Sequence, residues 1–283
     1  MSSRTFEAAG PAGDAGAGPA GRSRTIRAAF HVHSEWSYDA QLPLEKIAAL
    51  FRKEHCDAVF MCEHDRGFDA ERLAEYVAAC AAASAAGPLL VPGIEYADPQ
   101  DRVHVPVWGA PFLGEGTPTT ELLRTVATHG GAAVLAHPVR RDAWRVFERE
   151  WLELSAGIEI WTRKWDGWAP NPRACRWAAE HGLVGVAALD LHRPGQMFPL
   201  AMELLLDAPG GEDPLSVAAC VAALRQGRCR ALIGGQPVAP LTHGGLGAAA
   251  RSVERIRRPV WRRGRRVRER LHESARSADA LRG

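Results

Sequence analysis

Strand-like and helix-like stretches alternate along most of this 283-residue chain, and several of the strand-like stretches end on or beside a histidine or a carboxylate. Apolar runs predict strands at 26–31, 57–62, 89–96, 132–136, 157–161, 183–189 and 200–206, with a further extended piece at 103–108 and a last short one at 229–233. Amphipathic stretches at 43–55, 69–86, 119–129, 142–154, 172–181 and 214–226 predict helices between them. Alternation of this kind calls for a parallel sheet covered by helices. About seven consecutive units suggest a closed barrel rather than an open sheet.

The polar residues at the strand ends follow one pattern. His31 and His33 close the first strand, and two residues apart on a regular strand they share a face. Asp39 follows in the next loop, His64 comes just after the second strand, and Glu95 closes the third. His104 sits on the extended piece, His137 follows the fourth strand, and Asp190 and His192 end the sixth. In a parallel barrel those ends meet on one rim, where active sites are built. Nine imidazoles and carboxylates without a thiolate suit two or three borderline divalent ions such as Mn, Zn or Fe. The other histidines, His55, His129, His181, His243 and His272, read as ordinary surface or core residues.

At this point the motifs are specific. The run from His31 through Ala40 resembles the opening motif of the PHP (polymerase and histidinol phosphatase) family. Glu63-His64-Asp65, Gly93-Ile94-Glu95, Ala136-His137-Pro138 and Leu189-Asp190-Leu191-His192 resemble its later motifs, in the same order, over roughly residues 25–233. Where the family usually carries Asp before the second-strand histidine, this chain has Glu63, and the motif around His104 is weak.

The resemblance implies an α/β fold, a distorted (β/α)7 TIM-like barrel of the PHP type, with a trinuclear metal centre that hydrolyses phosphoesters. One ion would be held by His31, His33, Glu95 and Asp190, a second by Glu95, His104 and His137, and a third by Asp39, His64 and His192. A metal-bridging hydroxide would attack phosphorus, with Asp65 assisting protonation of the leaving oxygen. Arg140 and Arg193 would clamp the phosphoryl group, because guanidinium forks match phosphate geometry. Arg66, Arg141, Arg163 and Lys164 also follow strand ends, and Glu159 would face the barrel interior as support for a ligand. Trp36, Trp161, Trp165 and Trp168 could line a pocket or simply pack the mouth.

Outside the barrel the composition changes. Residues 1–24, rich in Gly, Ala and Pro, read as a disordered leader, residues 25–240 as the phosphoesterase barrel, and residues 241–283 as an Arg-rich tail. Ten arginines fall between 251 and 270 against Glu254 and Glu269, and could dock on RNA, DNA or an anionic membrane surface or be a solvated terminus. The six scattered cysteines include no C-x-x-C pair, no secretory signal is visible, and no apolar run is long enough for a bilayer, so a reduced cytoplasmic protein is expected. The sequence leaves the substrate open between a small phosphomonoester such as histidinol phosphate and a nucleotide or short oligonucleotide. The alternative is a metal-stabilised binding or regulatory domain without turnover. Oligomeric state is not legible.

Overall fold

The computed structural model describes residues 22–208, 215–242, 245–253 and 255–256. The leader up to residue 21 and the arginine run past 256 lie outside the described residues. From the N-terminal side the order is β1 (Arg22–Val32), α1 (Leu44–Lys53), β2 (Ala58–Met61), β3 (Glu63–His64), α2 (Ala70–Ser84), β4 (Leu89–Val91) and β5 (Gly93–Ala97). Then come β6 (His104–Trp108), α3 (Thr119–Thr128), β7 (Ala132–Leu135), α4 (Arg149–Leu154), β8 (Gly157–Thr162), α5 (Arg163–Asp166) and α6 (Pro172–His181). The order ends with β9 (Val184–Ala188), β10 (Leu200–Ala208), α7 (Val217–Arg225), β11 (Cys229–Ile233) and β12 (Gln236–Pro237), followed by short helical pieces. Among the described residues, no helix is long and apolar enough to cross a membrane.

Among the described residues the strands form two six-stranded sheets in a mixed α/β fold: β12-β11-β10-β1-β2-β4 and β3-β5-β6-β7-β8-β9. One closed parallel ladder, as expected from the alternation, is not what the hydrogen bonding gives. The pairs β1–β2, β2–β4, β3–β5, β7–β8 and β8–β9 are parallel. However, β6 runs antiparallel to both β5 and β7. Only a short loop joins β5 to β6, too short for the crossover that a parallel partner requires. The expected barrel strand at 200–206 is likewise different: β10 pairs antiparallel with β1 along its length. β1 itself begins at Arg22, inside the stretch read as leader. The helix expected over 142–154 is broken into a tight turn at Arg140–Val146 and α4, because Arg141 and Asp142 take left-handed backbone angles (φ 48° and 54°).

The two sheets share a core that fixes the site above it. β2 is buried on both faces, as its unbroken apolar run implies. Phe30 of β1 stacks on Phe60 of β2 with ring centroids 3.9 Å apart, and the Trp108 ring meets both edge-on. Trp108 Nε1 donates to the Met61 carbonyl at 2.7 Å. A Cβ at residue 93 would fall 2.3 Å from the Trp108 ring, so only glycine lets this indole cross β5. At the far end of the strands, Leu189 N–H donates to Phe30 O, Leu191 N–H to His31 O, and His33 N–H to Leu191 O, drawing the end of β9 against β1.

Candidate metal centre

Eight of the nine expected metal donors sit at or just beyond a strand terminus on the same end of the sheets, and Asp39 reaches them from the turn after β1. His31 and His33 do face the same side, but regular alternation is not the cause. The β1–β2 register shifts between Phe30 and Val32, and His31 has φ 63°. His137 (φ 25°) and Asp190 (φ 50°) share this left-handed backbone. Non-glycine residues in that region are concentrated where a site demands a particular side-chain direction. His104 belongs to the group for a different reason: β6 is antiparallel, so its first residue, opposite Ala97, lies at the same end as the last residues of its neighbours.

Glu95 is the hub. It is 1% exposed, and its Oε1 lies 3.3 Å from His31 Nε2, 3.0 Å from His104 Nδ1 and 3.1 Å from His137 Nε2. Its Oε2 lies 3.2 Å from His64 Nδ1 and 3.6 Å from His33 Nε2. Asp190 Oδ1 stands 3.7 Å from His33 Nε2 and 3.9 Å from His31 Nε2. Asp39 spans His64 and His192 at 3.2 and 3.1 Å, and at 39% exposed its side chain marks the open edge of the cluster. Three groups of donors lie within 4.8 Å of one another: His31, His33 and Glu95; Glu95, His104 and His137; and His33, His64 and His192.

These residues fit divalent ions. The Nε2 atoms of His31, His33 and His64 are buried and make no hydrogen bond; His64 Nε2 is near Asp39 but off the line of one. Buried polar atoms without partners are costly and rare, and coordination would satisfy them. The outer nitrogens are held in place. Glu159 Oε1 accepts from His31 Nδ1 at 2.6 Å, while its Oε2 accepts from His137 N–H at 2.8 Å and from the Thr162 hydroxyl. This fixes the His31 tautomer and turns Nε2 toward the cluster.

Electrostatics follow from burial against opposite charge. Burial alone would depress His31, but Glu95 and Glu159 outweigh it and raise its pKa well above the ordinary histidine value. His64, between Asp39 and Glu95, is likewise lifted against its burial, to about 10. His33 has no such excess of acid: burial, with His192 and His64 beside it, takes its pKa well below the usual value. Burial pushes Glu95 and Asp190 up, yet the surrounding cations hold both well below the carboxylate range, His31 foremost in each case.

The remaining expected residues have other settings. Asp65 is buried and accepts from the N–H groups of Gly116 (3.1 Å) and Ala97 (3.4 Å), which anchors the loop after β6; burial raises its pKa. Arg140 gives its guanidinium to Asp101, at 2.9 Å to the carbonyl and 3.1 Å to Oδ1. Arg193 is exposed, with its backbone N–H on Gln196. Glu63 is buried as an acceptor for Ser34 and Ser37, and so orients the loop carrying His33. Two contacts were not legible. Asp101 accepts His104 Nε2 at 2.7 Å as well as Arg140 and Arg141; its place three residues before His104 was the only sequence signal. Lys164 Nζ and Trp165 Nε1 both reach Asp190 Oδ2, at 3.0 and 2.8 Å.

Neither a family model nor a curated protein matches the chain. Solved structures do. A two-domain protein from Bacteroides vulgatus, containing a predicted PHP-like metal-dependent phosphoesterase, aligns over 75% of this chain with a TM-score of 0.55 and 19% identity. The chain spans 65% of that protein's length. PsfC from Pseudomonas syringae aligns over 82% of this chain and 98% of its own, with a TM-score of 0.57 and 12% identity. At such identities the likeness concerns the backbone, and the fold it points to is that of the PHP-like metal-dependent phosphoesterases.

Proposed function

We propose that this chain is a metal-dependent phosphoesterase whose two sheets carry a di- or trinuclear centre at their shared end. The observation that carries the reading is the convergence of His31, His33, His64, Glu95, His104, His137 and His192 into donor groups that share Glu95 and His33. Shared donors are what neighbouring ions require. Asp190 and Asp39 complete the set from the inner and outer sides. When bound, divalent ions supply an activated water and neutralise charge developing on phosphoryl oxygens.

The protein's own groups do the rest. Glu159, Asp101 and Glu63 orient donor side chains and the loop beneath them, and the apolar floor of Phe30, Phe60 and Trp108 keeps water from the inner face. Lys164, held on Asp190 and 35% exposed, is the cation best set to meet an entering phosphate. The substrate enters at the Asp39 edge. Six free cysteines accord with a reduced, cytoplasmic setting.

The test is a screen of purified protein with Mn, Zn or Fe against phosphomonoesters and small diesters, with elemental analysis alongside. Turnover in the loaded wild type, lost in His33→Ala and Asp190→Asn with the fold retained by circular dichroism, is the expected result. Metal-loaded protein inactive across the panel would favour a binding domain instead.

A further inference from the structure

Beside the metal centre lies a cleft of about 570 Å³ that the catalytic reading does not use. It shares two loops with the site. The loop after β7 carries His137 and then Trp144 and Arg145 of the cleft; the segment after β8 carries Lys164 and Trp165, which touch Asp190, and then the cleft's Asp166 and Asn171. The opposite wall comes from outside the barrel, where Arg251 and Arg255 stand one helical turn apart on the C-terminal helical segment.

Four arginines therefore line the cleft: Arg145, Arg173, Arg251 and Arg255. Two are pre-organised by one indole. The Arg173 guanidinium lies 3.4 Å from the Trp144 ring centroid and that of Arg145 at 5.0 Å. Stacking on an aromatic face fixes the guanidinium plane and leaves its N–H edges for an anion. The acidic groups of the cleft have partners already. Asp142 takes Trp144 Nε1 at 3.2 Å and faces Arg145 at 3.6 Å, and the Asp166 oxygens accept Thr162 N–H and the Asn171 amide. Arg251 touches the Thr242 carbonyl at 3.4 Å.

We propose that this cleft binds the backbone of a single-stranded nucleic acid, so that the phosphoester entering the metal centre belongs to a polyanion and not to an isolated small ester. This rests on the phosphoesterase reading for what happens at the metals, but the binding itself does not. A repeating phosphate chain is favoured because the cleft's arginines continue in sequence: ten lie between 251 and 270, far more than one phosphate can use. With Trp144 engaged by arginines, recognition is of phosphates, without base preference.

The experiment measures binding of the full chain to fluorescein-labelled oligothymidylate by anisotropy, in EDTA so that turnover plays no part, across a decade of salt. Arg251→Ala combined with Arg255→Ala is compared with the wild type and with a charge-matched control, Arg124→Ala combined with Arg149→Ala, whose arginines sit in exposed ion pairs elsewhere. Losing two phosphate contacts should flatten the log–log salt slope by about 1.4 and weaken binding roughly 25-fold at 0.1 M salt, the factor which that slope yields over the decade below 1 M. The control should bind like wild type, and circular dichroism should match throughout. Equal affinity and slope for wild type and the cleft variant, or an equal loss in the control, would overturn the proposal. So would a variant that loses binding to phosphatidylserine vesicles while holding oligothymidylate unchanged. Failure of the hydrolysis screen would sink the enzymatic reading and leave this measurement standing.

Discussion

Glu159 is the residue whose removal tests the logic of the site most directly. It is 1% exposed and accepts from three buried donors: His31 Nδ1, the His137 N–H and the Thr162 hydroxyl. In Glu159→Ala the Thr162 hydroxyl can rotate to another acceptor, but the ring nitrogen and the backbone N–H cannot. Two stranded donors cost about 2–6 kcal/mol together. Removing a buried carboxylate relieves its own desolvation, so the lower end applies, about 2–3 kcal/mol. Urea unfolding in EDTA reads this loss. The same variant frees the His31 ring to turn and switch tautomer, which should weaken metal binding about 10–100-fold, as read by competition with a chromophoric chelator. Glu159→Gln keeps one acceptor oxygen and should fall between. An Ala variant within about 0.5 kcal/mol of wild type, with unchanged metal affinity, would refute the claim that Glu159 holds the two histidines in place.

Three further outcomes follow from the geometry. Gly93→Ala places a methyl 2.3 Å from the Trp108 ring and 2.7 Å from the Met61 carbonyl, and should cost about 1–3 kcal/mol of stability by thermal unfolding. The metal-free protein and its metal affinity should respond to pH with opposite signs. His31, His64 and His104 all have folded pKa values above that of an unfolded histidine, so their contribution is complete below about 6.5 and is lost as pH rises toward the folded value, about 10 for His64. Metal-free stability should therefore decline above pH 6.5, while apparent affinity for Zn or Mn increases over the same range as the competing protons leave. Calorimetry in buffers of different ionisation enthalpy should record proton release on binding. Finally, because Asp190 has φ 50°, Asp190→Gly should be more stable than Asp190→Ala by about 1 kcal/mol; the reverse order would mean that the strand end is not left-handed.

Much of the candidate site was legible because strand ends carry its chemistry. His31, His33, Glu95, His137 and Asp190 each close a short apolar run, and any fold that aligns parallel strands brings such residues to one end. Direction was harder to read. The apolar composition of the run 103–108 does not say that β6 reverses, because buried parallel and antiparallel strands share it. The readable signal was the gap after 89–96, too short for a crossover. The same ambiguity hid the pairing of β10 with β1. Arg140 looked like a phosphate clamp from its place beside His137, but its partner Asp101 lies 39 residues away, and no local pattern announces such a pair. Glu159 was the more readable case: it was expected to face the interior as support for a ligand, and it lies buried against His31.

His31, His137 and Asp190 hold left-handed angles that cost about 1–2 kcal/mol each for residues bearing a Cβ. In each case protein groups fix the angle: the His33 and Leu191 N–H bonds flank His31, the Glu159 carboxylate takes the His137 N–H, and Lys164 and Trp165 grip the Asp190 carboxylate. The protein's own hydrogen bonds and ion pairs thus support each of these angles. With the donors already turned inward, a divalent ion held here would satisfy the ring nitrogens of His31, His33 and His64 that make no hydrogen bond.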